Sequence, residues 1–413
     1  MGKELISGSD EKISGKKTSL FTFNFLLSTS SVALLTAFFL ATSFWHINFS
    51  RIGFRAILAP LLLVWSLYFL IKALRVISSW SATIYAVVAG VVYGLGFYTY
   101  IAYRVTPLLF LLFIPFFSKG KDFWKRVLIF IILAFITAAP IGYYFLKHPA
   151  DFFGRTAEIS VTNATSPIRD FAVNVGKIAL MFNFHGDDNW RHNISGVPEL
   201  FWPVGILFVL GIILGLYSLW KSWRQKTMRD DSRNIFPAFP LLLIFSWIVL
   251  AGLPAAASDE GIPHALRSIL MLPPAMIFAA IGGVWLYKIM ERYSTNFARI
   301  VTFIFIFTVG IFGYVNYFIV WAQNPNVPGA FNADYVAIGN EINALPANTP
   351  KYVVINAGGV MTRGFPMPVE TTMFITDSFL PDEAAAKNIH YLLPDAISTI
   401  PAETPSSTIF EIN

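Results

Sequence analysis

Residues 43–55 read SFWHINFSRIGFR, a polar and aromatic stretch between residues 24–44 and 56–75, each of them long and apolar enough to cross a bilayer. About 20 apolar residues in a helix are needed to span ~30 Å of hydrocarbon. The stretch therefore reads as a turn between two membrane spans, and the same pattern recurs along the chain. Further runs fall at 82–101, 104–118, 126–146, 201–220, 236–254, 269–287 and 299–321, nine spans in all, with a tight hairpin around Ala102 to Thr106. Composition demands the same answer. Of 413 residues 55% are hydrophobic and only 13% charged, with 40 Phe and 11 Trp, more apolar surface than one soluble core can hide. The expected fold is an all-α polytopic membrane bundle over residues 24–324.

Thirty Lys and Arg against 24 Asp and Glu give a net charge of +6. In such a chain that excess reflects basic cytoplasmic loops, and nucleic acid is not an expected partner. Lys3, Lys12, Lys16 and Lys17 precede the first span, Lys72 and Arg75 end the second, and Lys119, Lys121, Lys125 and Arg126 separate the fourth and fifth. Lys221, Arg224, Lys226, Arg229 and Arg233 follow the sixth, and Lys288, Arg292 and Arg299 join the eighth to the ninth. Every second loop is basic, which predicts a cytoplasmic N-terminus and an outer C-terminus. Residues 1–23 lack the apolar stretch of a cleaved signal and read as a cytoplasmic segment. The absence of Cys excludes disulfides, zinc–thiolate sites and thiol nucleophiles.

On this topology His46, His148, His185, His192, His264 and His390 all fall at or beyond the outer face, and three clusters form around some of them, with Arg104 adding a fourth. The first is His46, Arg51 and Arg55. With the second span beginning near Ile52, the two arginines lie one helical turn apart on one face, as two guanidinium groups gripping a phosphate would. The alternative is interfacial snorkelling, with Trp45 an aromatic-belt anchor. The second is GDDNWRHNISG, residues 186–196, in an outer loop over 147–200. Asp187, Asp188, Arg191 and His192 offer acid, base and anion-binding chemistry there, against the alternative of a solvated loop. Asp188 and His192 could also share a divalent metal, although their spacing fits no strong template.

The third cluster is SDEGIPHALRS, residues 258–268, with Asp259, Glu260, His264 and Arg267. Pro263 as the first residue of a re-entering helix would set His264 and Arg267 at i and i+3 near the positive end of its dipole. The fourth is Arg104 in GFYTYIAYRVTP, ringed by Tyr98, Tyr100 and Tyr103. Together Arg51, Arg55, Arg104, Arg191 and Arg267 predict a cationic outer mouth for a membrane-bound phosphate or pyrophosphate.

Four stretches, SFWHINFSRIGFRAILAP, GLGFYTYIAYRVTPLLF, GDDNWRHNISGVPEL and GIPHALRSILMLPP, resemble in this order the polytopic GT-C glycosyltransferases of family 39. That family includes the protein O-mannosyltransferases and is related to the bacterial lipid A aminoarabinose transferase; the resemblance covers roughly residues 1–325. It implies transfer of a sugar from a polyprenyl-phosphate donor to an acceptor hydroxyl on a glycan, lipid or protein, at the outer face and with inversion. An acidic side chain would take the acceptor proton while cations stabilise the departing lipid phosphate. The phosphate contacts implied are His46, Arg51, Arg55, Tyr100, Arg104, His264 and Arg267; Asp187, Asp188, Arg191 and His192 fall to the acceptor or sugar side. The family carries its principal acidic residue in an outer loop after a first membrane helix, and a second helix follows. Both helices would precede Met1 here, which leaves Asp259 or Glu260 as the substitute base.

Residues 325–413 change in character. ADYVAIGNEINAL (333–345) reads as an amphipathic helix, and KYVVINA (351–357), NIHYLLPD and TIFEIN as strands, giving a small outer α/β unit without a Gly-rich phosphate loop or metal spacing. Two rival readings predict other things. A transporter or flippase for a lipid-linked sugar calls for inverted repeats and charges near the midplane. A non-catalytic membrane scaffold would be indifferent to loss of Arg51 and Arg267.

Overall fold

The computed structural model describes residues 29–76, 78–111, 121–224, 235–359 and 361–413; the expected segment 1–23 and the basic connection at 225–234 lie outside them. The helices of the bundle are α1 Thr29–Thr42, α2 Phe44–Arg51, α3 Leu58–Arg75, α4 Ser79–Gly96, α5 Thr106–Leu111, α6 Lys121–Lys147, α7 Pro149–Glu158, α8 Pro167–Leu180, α9 Trp202–Arg224, α10 Ile235–Ala256, α11 Leu272–Tyr293 and α12 Thr295–Val315. Seven helices among the described residues are long and apolar enough to cross a membrane, and eight if the bent pair α1–α2 counts as one span. The expected span at 104–118 is represented by the shorter apolar helix Ile101–Leu111, and residues 112–120 lie outside the described residues.

Backbone approach sets the packing. In α4 the small residues Ala82, Ala86, Gly90 and Gly94 recur every four positions and are all buried. A Cβ on Gly90 or Gly94 would strike the Phe130 or Ala134 carbonyl of α6, so this stripe lets the two helices touch along their backbones. The same device joins α9 to α11 reciprocally: Gly211 faces the Phe278 carbonyl, and Gly282 faces the Leu207 carbonyl. The span Ile269–Tyr293 has 72% of its apolar window buried, against 11% for Asp122–Lys147 and 17% for Thr295–Trp321. So α11 is the central helix, and α6 and α12 turn most of their apolar surface outward.

The stretch SFWHINFSR is not an open turn. It forms α2, set at 59° to α1 with Ser43 in extended conformation at the break. Trp45 is fully buried and donates from Nε1 to the Ala265 carbonyl (3.2 Å), so it is a core residue and not a belt anchor. Arg51 closes α2, Gly53 follows at φ +70°, and Arg55 opens a separate 3-10 turn, Arg55–Ile57. The two arginines therefore do not share a helix face. The left-handed Gly53 ends α2 before a second turn can stack them.

After α13 Asn326–Ala330 and α14 Ala333–Ala344, the C-terminal unit builds a parallel sheet in the order β4-β1-β5, from β1 Lys351–Ile355, β4 Ile389–Leu392 and β5 Ile409–Ile412. A two-residue antiparallel pair, β2 Met361–Thr362 with β3 Phe365–Pro366, lies beside it. Val353, Ile355, Ile389, Phe410 and Ile412 form its own core with Ile342, Val369 and Met373 from the flanking helices.

Candidate active site

The loop GDDNWRHNISG is closed by its two terminal glycines. Gly186 N–H donates to the Gly196 carbonyl (3.2 Å), and Gly196 N–H donates to the Asp187 carbonyl (3.1 Å). Gly196 needs its φ of +72°, and a Cβ on Gly186 would strike the Val197 carbonyl. Inside the loop Asn189 N–H donates to Asp187 Oδ1 (2.8 Å), and Arg191 N–H donates to Asn189 Oδ1 (2.9 Å). These side-chain-to-backbone turns curl the chain back on itself. The result is that His192 Nδ1 meets Asp187 Oδ2 at 2.9 Å.

Two distant segments complete the cluster. The segment before α11 brings Ala265 N–H to Asp187 Oδ2 (2.8 Å) and His264 Nδ1 to within 3.6 Å of the same oxygen. From α2, Asn48 Nδ2 donates to the Arg191 and His192 carbonyls (3.0 Å each), and Phe49 stacks on the His192 ring with 5.6 Å between centroids. The His192 and His264 rings lie 4.8 Å apart. Arg267 follows in the same segment, its guanidinium 10% exposed, donating to the Glu260 backbone carbonyl (2.6 Å) with the Glu260 carboxylate at 3.5 Å.

Burial alone would raise the Asp187 carboxyl. The His192 hydrogen bond, the charges of His192 and His264 and the Asn189 N–H outweigh it and hold the group below the usual carboxylate range. Glu199 behaves in the opposite way. Its Oε1 accepts the Asp187 N–H (3.0 Å), but full burial, with the Asp187 charge beside it, pushes it well above the ordinary glutamate value. Two neighbouring carboxyls are thus driven apart, Asp187 towards the ionised form and Glu199 towards the neutral one. A raised acid stabilises the fold below its unfolded pKa of about 4.3 and loses that contribution as pH climbs through the folded value. Wild-type protein is therefore expected to lose thermal stability relative to Glu199→Gln as pH rises above roughly 4, measured by melting in detergent.

The structure separates the other expected site residues from this cluster. Asp188 points outward and pairs with His185 (3.1 Å), both side chains more than half exposed, so it does not share a metal with His192. Arg191 donates from Nε to the Ala330 carbonyl (3.0 Å), and Arg104 donates to the Phe152 carbonyl (2.9 Å) with its guanidinium 3.8 Å from that ring. Arg51 lies over Tyr317 and Phe318 at 5.7 and 5.1 Å, Arg55 is exposed, His46 is half-buried on α2, and Tyr100 precedes the 3-10 turn that carries Arg104. Arg51, Arg104, Arg191 and Arg267 thus each meet a ring or a backbone carbonyl, as guanidinium planes do in a chain this rich in aromatics. Asp259 and Glu260 are exposed at the rim, Asp259 tied by its backbone N–H to the Ile159 carbonyl (3.0 Å). His264 and Arg267 precede the helix and do not begin it, because the regular turns start at Ile269 and the prolines at the head of α11 are Pro273 and Pro274. The dipole argument for that pair therefore does not apply.

Sequence reasoning passed over Glu199 and Asn48 as site residues. The signal for Glu199 was a single carboxyl abutting the apolar run LFWPVGILF. Asp187, His192 and His264 are the described residues whose donor atoms, all within 4.8 Å of one another, could hold a divalent cation. The chain matches no protein-family model, and no curated protein and no solved structure matches it either.

Proposed function

We propose that this chain is a membrane glycosyltransferase of the family 39 type, moving a sugar from a polyprenyl-phosphate donor to an acceptor hydroxyl with inversion. Its N-terminus would be cytoplasmic and its working face extracytoplasmic. One observation carries the reading. Three of the four stretches that resemble the family, separated by up to 220 residues, close on a single buried carboxylate through Trp45–Ala265, Asn48–His192 and Ala265–Asp187 hydrogen bonds. In the segment that supplies Ala265 stands a buried arginine, Arg267, paired at 3.5 Å with Glu260, which is 63% exposed.

In this reading Arg267 and His264 meet the donor phosphate, and their charge stabilises the oxygen that leaves the anomeric carbon. Asp187 fixes the His192 ring through Nδ1 and keeps its other nitrogen directed at the acceptor or sugar. The acceptor oxygen forms the new bond at the anomeric carbon as the carbon–phosphate-oxygen bond breaks. Its proton passes to a base, for which Glu260 on the exposed side of Arg267 is the nearest carboxylate in this segment. Phosphatidylcholine vesicles holding the full chain, supplied with a panel of polyprenyl-phosphate hexoses and pentoses together with glycan, lipid and peptide hydroxyl acceptors, are expected to release polyprenyl phosphate as the sugar passes to an acceptor. Arg267→Gln should slow the release at least about tenfold, the scale of one charge-assisted hydrogen bond. No release from any donor, or release indifferent to Arg267→Gln, overturns the reading.

A further inference from the structure

Behind the Asp187 cluster lies a cavity of about 250 Å³, bounded by the α1–α2 joint, the segment 193–202 and the outer part of α12. Its walls are mostly apolar, with Phe39, Phe44, Leu200, Phe201, Val309 and Phe312 among them. Thr42, Ser43, Asn193, Glu199 and Asn316 interrupt that lining, and of these Thr42 Oγ1 donates to the Phe38 carbonyl and Asn193 Nδ2 to the Val197 carbonyl. Glu199 Oε2 and Ser43 Oγ both belong to cavity-lining residues, and both are buried without a hydrogen-bond partner among the described residues. Nearly all buried polar groups are satisfied, so two orphans on one cavity require an explanation.

Three features define what would satisfy them. Glu199 Oε1 is already engaged by the Asp187 N–H, so Oε2 is the oxygen left for a ligand. A bare carboxylate oxygen in such walls is far costlier than a protonated one, which makes Oε2 a hydrogen-bond donor. Ser43 adds a hydroxyl that can donate or accept. Glu199 also stands directly against Asp187, so an anionic head group is repelled. Finally, α12 buries only 17% of its span and Trp202 at the mouth is 65% exposed, so the cavity borders surface that a bilayer would cover. The fitting occupant is uncharged, has one acceptor oxygen and carries an apolar tail.

We propose that this cavity binds the hydroxyl end of a neutral long-chain lipid alcohol, drawn from the bilayer and held between Glu199 and Ser43. The site stands apart from the sugar-transfer reading and does not depend on it. The hydroxyl oxygen accepts from Glu199 while its own hydrogen goes to Ser43, and the tail follows the Phe39, Val309 and Phe312 wall. Because Glu199 also holds the Asp187 backbone, occupancy tightens the loop that carries the Asp187–His192 pair.

The test uses the full chain in phosphatidylcholine nanodiscs with three diazirine-bearing C16 probes: the alcohol, its phosphate monoester and the corresponding amine. Photolabelling followed by peptide mapping should place the alcohol on residues 39–44 and 309–316, at least about fivefold above the phosphate and the amine. Glu199→Gln keeps a neutral donor and should label as wild type does. Glu199→Leu and the cavity-filling Val309→Trp should each cut labelling about fivefold or more. Ser43→Ala, the mildest change, gives a smaller loss in the same direction should either of those variants fold poorly. Equal labelling by all three head groups, preference for the amine, labels elsewhere in the bundle, or indifference to Val309→Trp overturns the proposal. So does a high-resolution structure in lipid with only ordered water on Glu199 and Ser43. Loss of polyprenyl-phosphate release with labelling intact would count against the transferase reading alone.

Discussion

Asp187→Asn is expected to unseat the loop of residues 186–196 and destabilise this protein, whereas Asp188→Asn, one residue away, leaves its melting temperature unchanged. Asp187 Oδ2 accepts from Ala265 N–H and meets two imidazoles, and its Oδ1 accepts from Asn189 N–H. An amide in the same place can satisfy one side of that set only, because its NH₂ group faces donors wherever it points. Removing one partner of a buried charged pair costs roughly 3–5 kcal/mol, since the remaining group keeps its desolvation without its compensation. Asp188 holds only an exposed imidazole, and exposed pairs contribute little. The pH profile gives a second readout. A carboxyl held below its unfolded value of about 3.9 contributes stability above that value and loses it as pH falls through the folded one, so the acid limb of the wild-type melt should flatten in Asp187→Asn. On the proposed transferase reading, release of polyprenyl phosphate should fall by at least about 100-fold, because an unanchored His192 no longer directs its free nitrogen at the acceptor or sugar.

How much of this was legible in the sequence varies with the kind of information each feature needs. The membrane bundle followed from apolar run length, and the C-terminal strands from their β-branched and aromatic alternation, both local properties. Asp187, His192, His264 and Arg267 could be singled out because titratable groups in predicted outer loops are few. Their sorting could not. Asp187 and Asp188 are adjacent and chemically alike, and only the Asx turns and the glycine closure of the loop aim one inward and the other out. The bend at Ser43 was equally hidden, since no Pro or Gly marks it and α2 is fixed by bonds to residues more than 140 positions away. The partners of the arginines were not legible, because charge and order along the chain say nothing about which ring or carbonyl each guanidinium meets. Glu199 went unnoticed because an isolated carboxyl at the head of an apolar run looks like a boundary residue until its burial is known.

The second large effect is expected far from these side chains, at Gly211. Gly211→Val should lower stability by about 3 kcal/mol, whereas Gly310→Val in α12 leaves it nearly unchanged, as read by thermal melting and by the monodisperse fraction on size exclusion. A Cβ at Gly310 meets nothing within 4 Å, while at Gly211 it would strike the backbone carbonyl of Phe278, which no rotamer change can move. The two helices would have to separate, and Gly282 against the Leu207 carbonyl would lose its contact with them. That separation reaches the site. Helix α9 begins three residues after Glu199 and α11 begins just after the segment with His264, Ala265 and Arg267, so the α9–α11 spacing sets where Asp187 finds its N–H donor. Because the Glu199–Asp187 and Ala265–Asp187 bonds pull from opposite helices, a shift of about 1 Å lengthens one of them beyond hydrogen-bond range. Gly211→Val should accordingly lose activity even in the fraction that remains folded, and a folded, fully active variant would show that the loop positions itself without the helices beneath it.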